Sequence, residues 1–273
     1  MCAAPGSLWS GSGGEMRLTV LASGSKGNAA LVETPKTRFL IDAGLNCKSL
    51  VQRLNSIGVD EHSIDAILLS HEHSDHVCGA GVFSRRFRVP VYATQLTGEC
   101  TVNSVGDFHQ FVPLHNSTSF SLGDAGVEVF SVSHDAADPV GFRISSLQNR
   151  HLCYVTDTGI YTSLIKQYAI GCHTLVMESN HDEIMLMEGK YPWPLKQRVR
   201  SRTGHASNRE ASAFLQEVWW DGMQNVILSH LSAENNIPAL AYHESKRALE
   251  SMEASNTQLY GTRQHMVGST IAV

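Results

Sequence analysis

The chain has 273 residues, 42% of them hydrophobic and 17% charged, with 21 Lys and Arg against 26 Asp and Glu for a formal net charge of −5. That length buries a full core as one large domain or two small ones. The near balance of charge excludes a global field drawing the chain to nucleic acid or an anionic membrane, so any polyanion binding has to come from a local patch.

Residues 1–15 are rich in Gly, Ser and Ala and have neither a basic start nor a sustained apolar run, so they do not read as a signal peptide. Their few large apolar groups cannot offset the entropy of ordering, and a disordered extension is expected there. From Met16 onward, short apolar runs between Gly, Asn and Asp turns predict strands over 17–22, 30–33, 38–42, 66–70, 91–94, 127–132, 140–145, 151–156, 174–178 and 225–229. Helices are predicted near 47–57, 75–87, 161–168, 208–218 and 237–251. Two sheets packed face to face with helices outside would bury such strands, with 16–145 and 146–273 as the two halves of a single domain over 16–273. Apolar runs such as Ala66 to Leu69 fall far short of the roughly 20 residues that span a membrane. Six cysteines (Cys2, Cys47, Cys78, Cys100, Cys153 and Cys172) show no CxxC or paired spacing, which suits reduced thiols in a cytoplasm better than a disulfide framework.

The chemistry concentrates in His71-Glu72-His73-Ser74-Asp75-His76. This hexapeptide follows an apolar strand and precedes a predicted helix, which is where open α/β sheets place their ligands. Two imidazoles at i and i+2 converge on one ion from an extended turn, while Asp75 and His76 point elsewhere and serve a second. Neighbouring divalent cations make the water between them a nucleophile at neutral pH, so a dinuclear metallohydrolase is expected. Other strands also end in single polar residues: His134 after the run closing at Val132, Asp157 after 152–155, and His230 after 226–228. A lone His at a strand end is more often a hydrogen-bonded loop residue; the shared position makes these three candidates.

Together these residues resemble the metallo-β-lactamase superfamily, whose HxHxDH signature is matched by His71, His73, Asp75 and His76, and whose later His, Asp and His are matched by His134, Asp157 and His230. The likeness covers residues 16–273 and implies an α/β fold, the four-layer αββα sandwich. It also implies that His71, His73 and His134 hold one metal ion, that Asp75, His76 and His230 hold a second, and that Asp157 bridges them. Asp42, in Ile41-Asp42-Ala43-Gly44, resembles the family's early Asp that orients the ligand loop from behind; a plain turn carboxylate is the alternative. Two divalent ions are implied, zinc first, with manganese or iron open because availability often decides.

Residues outside the ligand set have to choose the substrate. Thr203-Gly204-His205-Ala206-Ser207-Asn208, whose His lies 25 positions before His230, is similar to the SGHA motif of ribonuclease J and other β-CASP nucleases and, more loosely, to ribonuclease Z. In those enzymes this His contacts the scissile phosphate; a loop His capping the helix from Asn208 is the alternative. From Gly189 to Arg209 there is no Asp or Glu, while Lys190, Lys196, Arg198, Arg200, Arg202 and Arg209 surround Tyr191-Pro192-Trp193-Pro194. Such cations bind phosphate backbones, and an aromatic can stack on an unpaired base. Arg143, in Val140-Gly141-Phe142-Arg143, also looks like ribonuclease Z, and His181 is a further substrate-side candidate. Residues 21–28, 132–139, 178–182, 191–198 and 230–236 together resemble the bacterial YycJ/WalJ family, described as metal-dependent DNA exonucleases working 5′ to 3′.

The expected activity is phosphodiester hydrolysis by a hydroxide shared by the metals, in a cytoplasmic enzyme with nucleic acid, DNA before RNA, as substrate and no membrane partner. Asp75 would steer the nucleophile and His205 would stabilise charge on the phosphate. Two alternatives stand beside it: a thioester or lactone hydrolase of glyoxalase II type, and a noncatalytic module in which metal fixes the fold and the cationic patch holds DNA.

Overall fold

Residues 14–273 are described by the computed structural model, so most of the extension expected over 1–15 lies outside the described residues. In chain order the first strands are β1 (Arg17–Ala22), β2 (Ala29–Glu33), β3 (Arg38–Ile41), β4 (Ala66–Leu68), β5 (Val91–Thr94) and β6 (Phe111–Leu114). They form one sheet in the order β1-β2-β3-β4-β5-β6. A second sheet holds β7 (Ser119–Leu122), β8 (Ala125–Ser131), β9 (Val140–Ser145), β10 (His151–Val155), β11 (Thr174–Glu178), β12 (Asn225–Ser229) and β13 (Gln258–Gly261) in sequence order. The chain then returns to the first sheet, where β14 (Thr270–Ala272) pairs antiparallel with β1.

Helices cover the outer faces: α1 (Cys47–Ser56), α3 (Ala80–Phe87) and α4 (Gln95–Val105) on the first sheet, and α5 (Ser163–Ala169), α8 (Asn208–Val218) and α9 (Pro238–Ser251) on the second, while α2 (Ser74–Val77), α6 (Glu183–Glu188) and α7 (Trp193–Val199) lie in the connections. The pleat divides each strand between two cores. Phe39 and Ile41 of β3 meet Phe142, Ile144 and Tyr154 between the sheets, whereas Leu40 turns outward to a cluster with Leu50, Leu54 and Phe83. On the far side Cys153, Leu175 and Leu228 pack against Ile165, Phe214 and Leu249. Strands covered on both faces read as continuous apolar runs, which is why the central ones were visible in the sequence. The result is the four-layer αββα sandwich.

Three expectations need correction. The boundary between the sheets falls in residues 115–118 and not at 145, because β7, β8, β9 and β10 form one antiparallel run, and the C-terminal strand belongs to the first sheet. The helix expected over 75–87 is broken at Cys78 and Gly79, where Gly79 N donates to Ala43 O at 2.8 Å and pins the break to the loop carrying Asp42. Strands β6, β7, β13 and β14 escaped prediction because they are short and half exposed. Among the described residues no helix is long and apolar enough to cross a membrane, and Cys47, Cys78, Cys100, Cys153 and Cys172 are free thiols.

Candidate metal centre

The loops that carry the candidate ligands leave the same end of the sandwich. β3 and β4 run parallel, as do β10, β11 and β12, so their C-terminal ends align. β3 delivers Asp42, β4 delivers residues 71–76, β8 delivers His134, β10 delivers Asp157, β11 ends on Glu178 and β12 delivers His230. Gly44 lets two of these loops touch: a Cβ there would lie 1.7 Å from the carbonyl oxygen of Asp75.

Seven side chains converge. His73 Nδ1 lies 3.1 Å from His71 Nε2 and 3.2 Å from His134 Nε2. His76 Nε2 lies 3.1 Å from Asp157 Oδ2, and Asp75 Oδ2 lies 3.7 Å from His76 Nε2 and 3.4 Å from His230 Nε2. The donor atoms of His71, His73 and His134 lie within 4.8 Å of one another, as do those of Asp75, His76 and His230. Asp157 stands between the two sets, grouped with His71 and His76 on one side and with Glu178, His205 and His230 on the other.

The donor set fits divalent cations by its tautomers. His71 Nδ1 bonds Ser70 Oγ at 3.0 Å, His76 Nδ1 bonds Asp42 Oδ2 at 2.7 Å, His134 Nδ1 bonds Gly204 O at 3.0 Å and His230 Nδ1 bonds Glu178 Oε1 at 2.8 Å. Each bond places the ring proton on Nδ1 and leaves the Nε2 lone pair turned into the cluster, the arrangement of metal-binding histidines. Asp157 Oδ2 is buried among these rings without a hydrogen-bond partner, an atom that calls for a cation.

Two carboxylates hold the cluster from behind. Asp42 is fully buried and accepts Ser70 N at 2.8 Å and Ser70 Oγ at 2.9 Å besides His76. Glu178, also fully buried, accepts four donors: His205 Nδ1 and His230 Nδ1 at 2.8 Å on Oε1, and the amides of Thr158 and Ala206 at 2.9 and 3.3 Å on Oε2. Asn28 Nδ2 reaches His76 Nε2 and Asp75 Oδ2 at 3.0 and 3.2 Å. Neither Glu178 nor Asn28 was assigned a site role from the sequence; the signals were a charge closing an otherwise apolar strand for Glu178, and the place of both residues in the segments 178–182 and 21–28 that resemble the YycJ/WalJ family.

Electrostatics follow from burial and neighbours. Burial holds the His71 imidazole well below its ordinary value and lowers His134. For His76 and His230 burial acts the same way, but the charge of Asp157, aided by Asp42 for His76 and by Asp75 and Glu178 for His230, raises both well above it. Burial pushes the Asp75 and Glu178 carboxyls up; the hydrogen bond from His230 and the charges of His76 and His230 outweigh this for Asp75, and the charge of His205 and the bonds from His205 and His230 do so for Glu178, bringing each to about 2.

The cluster forms the floor of a cleft of about 320 Å3 whose lining includes His73, Asp75, Asp157, His205, His230, Tyr191 and Arg198. His205 stands beside the ligands because the loop ahead of α8 is stitched to the end of β11. An isolated bridge joins His181 and Ser207, and Asn180 N donates to Ala206 O. Ser207 caps α8, with Glu210 completing a capping box, so His205 is free of that task. Arg198 lines the cleft and pairs with Asp135 through two nitrogens. The remaining substrate candidates do not line it. His181 is 2% exposed, Lys196 is buried with Nζ on Met187 O at 2.6 Å, and Arg143 bonds the carbonyls of Tyr168 and Ile170 on the outer face of its sheet.

Comparison with known proteins agrees with this architecture. A family profile described as Beta-lactamase superfamily domain matches residues 37–231. The chain is similar to exodeoxyribonuclease YycJ of Bacillus anthracis, 37% identical over 86% of this chain and 89% of that protein. It is similar to exodeoxyribonuclease WalJ of Streptococcus pneumoniae, 36% identical over 83% of this chain and 85% of that one. Among solved structures the metallo-β-lactamase fold protein YhfI of Bacillus subtilis superposes with a TM-score of 0.73 at 18% identity, over 94% of this chain and 99% of YhfI, a likeness of fold.

Proposed function

The chain belongs to the beta-lactamase superfamily, and within it to the family of YycJ and WalJ, and from that premise we propose that it is a metal-dependent nuclease, a dinuclear exonuclease that removes nucleotides from the 5′ end of DNA. The observation that carries the reading is a complete donor set on the floor of a cleft with a polarised imidazole, His205, beside it. The names of the two relatives favour DNA over other phosphodiesters.

His71, His73 and His134 would hold one divalent ion, Asp75, His76 and His230 a second, with Asp157 between them. When bound, such ions supply Lewis acidity toward phosphate and make water nucleophilic at neutral pH. Asp75 keeps its carboxylate 21% exposed to the cleft and ionised, so it can accept a hydrogen bond from the attacking water and aim it at phosphorus. His205 Nδ1 is tied to Glu178, which leaves Nε2 as the nitrogen that faces substrate. Burial lowers the basicity of His205, but Glu178 more than offsets this and favours the charged ring, whose Nε2 can donate a proton to a nonbridging oxygen or to the leaving oxygen. Glu178 positions two rings at once, fixing the tautomer of His230 toward the ions and the orientation of His205 toward the phosphate.

Metal analysis of the purified protein, followed by incubation with single- and double-stranded DNA and RNA labelled at either end, tests the reading, with a thioester as control. Release of mononucleotides from the 5′ end of DNA is expected, and Asp75→Ala should abolish it while the fold is retained. Thioester cleavage without nucleic-acid degradation would overturn the assignment.

A further inference from the structure

The cleft has a second chemistry besides its metal-binding floor. At about 320 Å3 it is at the small end of the roughly 300–1,000 Å3 of ligand sites, which suits one nucleotide better than a length of strand. Tyr191, Asn180, Ser232 and Asn235 line it with no charge and no ligand role. A phosphate would call for cations; an aromatic ring beside amides and a hydroxyl fits a nucleoside.

Asn235 gives this wall its strongest signal. The residue is 2% exposed, yet its Oδ1 has no hydrogen-bond partner, a costly state for a buried amide. Its backbone is fixed, with N donating to Ser232 Oγ at 3.1 Å and O accepting Asp182 N at 2.9 Å, so the side chain is held in place without being used. Gly189 packs closely against it: a Cβ there would lie 2.7 Å from Asn235 Oδ1. Ser232 Oγ accepts the amides of Glu234 and Asn235 and donates to nothing among the described residues, so its proton is available to a ligand.

We propose that Tyr191, Ser232 and Asn235 form the subsite for the terminal nucleotide, with the Tyr191 ring stacked on its base and the Ser232 hydroxyl and Asn235 amide hydrogen-bonded to the base edge or sugar. The subsite rests on the nuclease reading and adds to it the reason that cleavage starts at an end: a pocket for one nucleoside beside the metals accepts a strand terminus and excludes an interior stretch.

The test compares duplexes that differ only at the attacked terminus, one carrying a natural nucleotide and one an abasic residue, with a third carrying 2-aminopurine to report stacking by fluorescence. The wild-type protein should prefer the natural terminus by about tenfold in kcat/KM, the scale of one base stacked on an aromatic, and should quench 2-aminopurine on binding. Tyr191→Ala should erase most of both effects. Asn235→Ala should erase part of the preference at an undiminished melting temperature, because the side chain makes no hydrogen bond to the protein. Equal turnover of both termini by the wild type, or cleavage confined to internal bonds, overturns the subsite and leaves the phosphodiesterase. A fall in melting temperature with equal loss on both termini in Asn235→Ala makes that residue structural and likewise overturns its assignment. If the wild type degrades no nucleic acid, the nuclease reading itself fails and the subsite with it.

Discussion

Replacing Glu178 by Gln separates a positioning carboxylate from a merely buried one. The native side chain accepts two imidazole N–H groups on Oε1 and two backbone amides on Oε2. Gln is the same size, but one end of its amide is a donor. In one orientation its NH2 faces Thr158 N and Ala206 N, and in the other it faces His205 Nδ1 and His230 Nδ1, so two buried donors are left opposing a third. At about 1–3 kcal/mol for each buried group left unpaired, the exchange costs about 2–6 kcal/mol, shared between the fold and the order of the two rings. Relief comes most readily if His230 shifts its proton to Nε2, which spoils its ligand nitrogen, and if His205 turns away from the amide, which misdirects its phosphate-facing Nε2. Changes behind ligating histidines typically cost 10–100-fold in metal affinity or activity, and that range is expected here. Competition calorimetry against a chelator reads the affinity of the metal-free protein, and thermal melting separates a loosened site from an unfolded chain. A Glu178→Gln protein that binds metal within about twofold of wild type and degrades DNA normally would refute the positioning argument.

Asp42→Asn should weaken the ion held with His76 by about 10–100-fold, because an amide cannot accept the Ser70 N–H on one atom and the Ser70 hydroxyl and His76 N–H on the other; metal stoichiometry by mass spectrometry checks this, and two tightly held ions per chain would contradict it. Gly44→Ala should displace the Asp75 backbone, since its Cβ would meet the Asp75 oxygen at 1.7 Å, and lost nuclease activity in a soluble, folded variant is the expected outcome. Removing metal from a site occupied at 100 times its dissociation constant should take away about 2.7 kcal/mol of stability and lower the melting temperature by about 5–10 °C; an unchanged melt after complete chelation would mean that the ions do not bind the folded cluster. Stability should also depend on pH through His173. His173 is lowered to about 4 by burial and by nearby Arg150, His151 and Arg143, and its Nδ1 accepts His151 N at 3.1 Å. The unfolded chain therefore binds a proton at about 6.5 that the folded protein refuses until about 4, so stability is lost as pH falls through that window. Melting of His173→Gln should be flatter over the same range, and identical pH profiles for the two proteins would rule the assignment out.

The candidate ligands were legible because four donors within six residues carry their spacing in the sequence itself, and because central strands buried on both faces announce the ends where the other candidates sit. The substrate side was read less well for a geometric reason. Lys196 and Arg198 are two positions apart on α7, roughly 200° around a helix, so only one can face the cleft; Arg198 does, and Lys196 turns beneath to the Met187 carbonyl. Arg143 follows Phe142 along β9, and the alternation that buries Phe142 between the sheets sends Arg143 outward to the carbonyls at the C-terminal end of α5. A cationic run in sequence therefore overstates the patch in space. Glu178 was hidden for the opposite reason, since its value lies in four partners that come from distant segments.

Three of the seven non-glycine positions with positive φ among the described residues fall in the centre, at strand ends. Asp42, Asp157 and His230 have φ of 60°, 53° and 53°, the left-handed region that Gly or Asn would occupy at less cost. Each position costs on the order of 1–3 kcal/mol for an ordinary residue, and two of the three are held by buried bonds: Asp42 by Ser70 and His76, His230 by Ser23 Oγ on its amide at 2.6 Å and by Asn180 on its carbonyl at 2.9 Å. Glycine would relieve the backbone at all three, but it can supply neither a carboxylate nor an imidazole. A fold that keeps strained side chains at three strand ends, all on one edge of the sandwich, and surrounds them with fixed acceptors is organised around what those side chains hold; the uncharged wall at Tyr191, Ser232 and Asn235 then decides which substrate that centre meets.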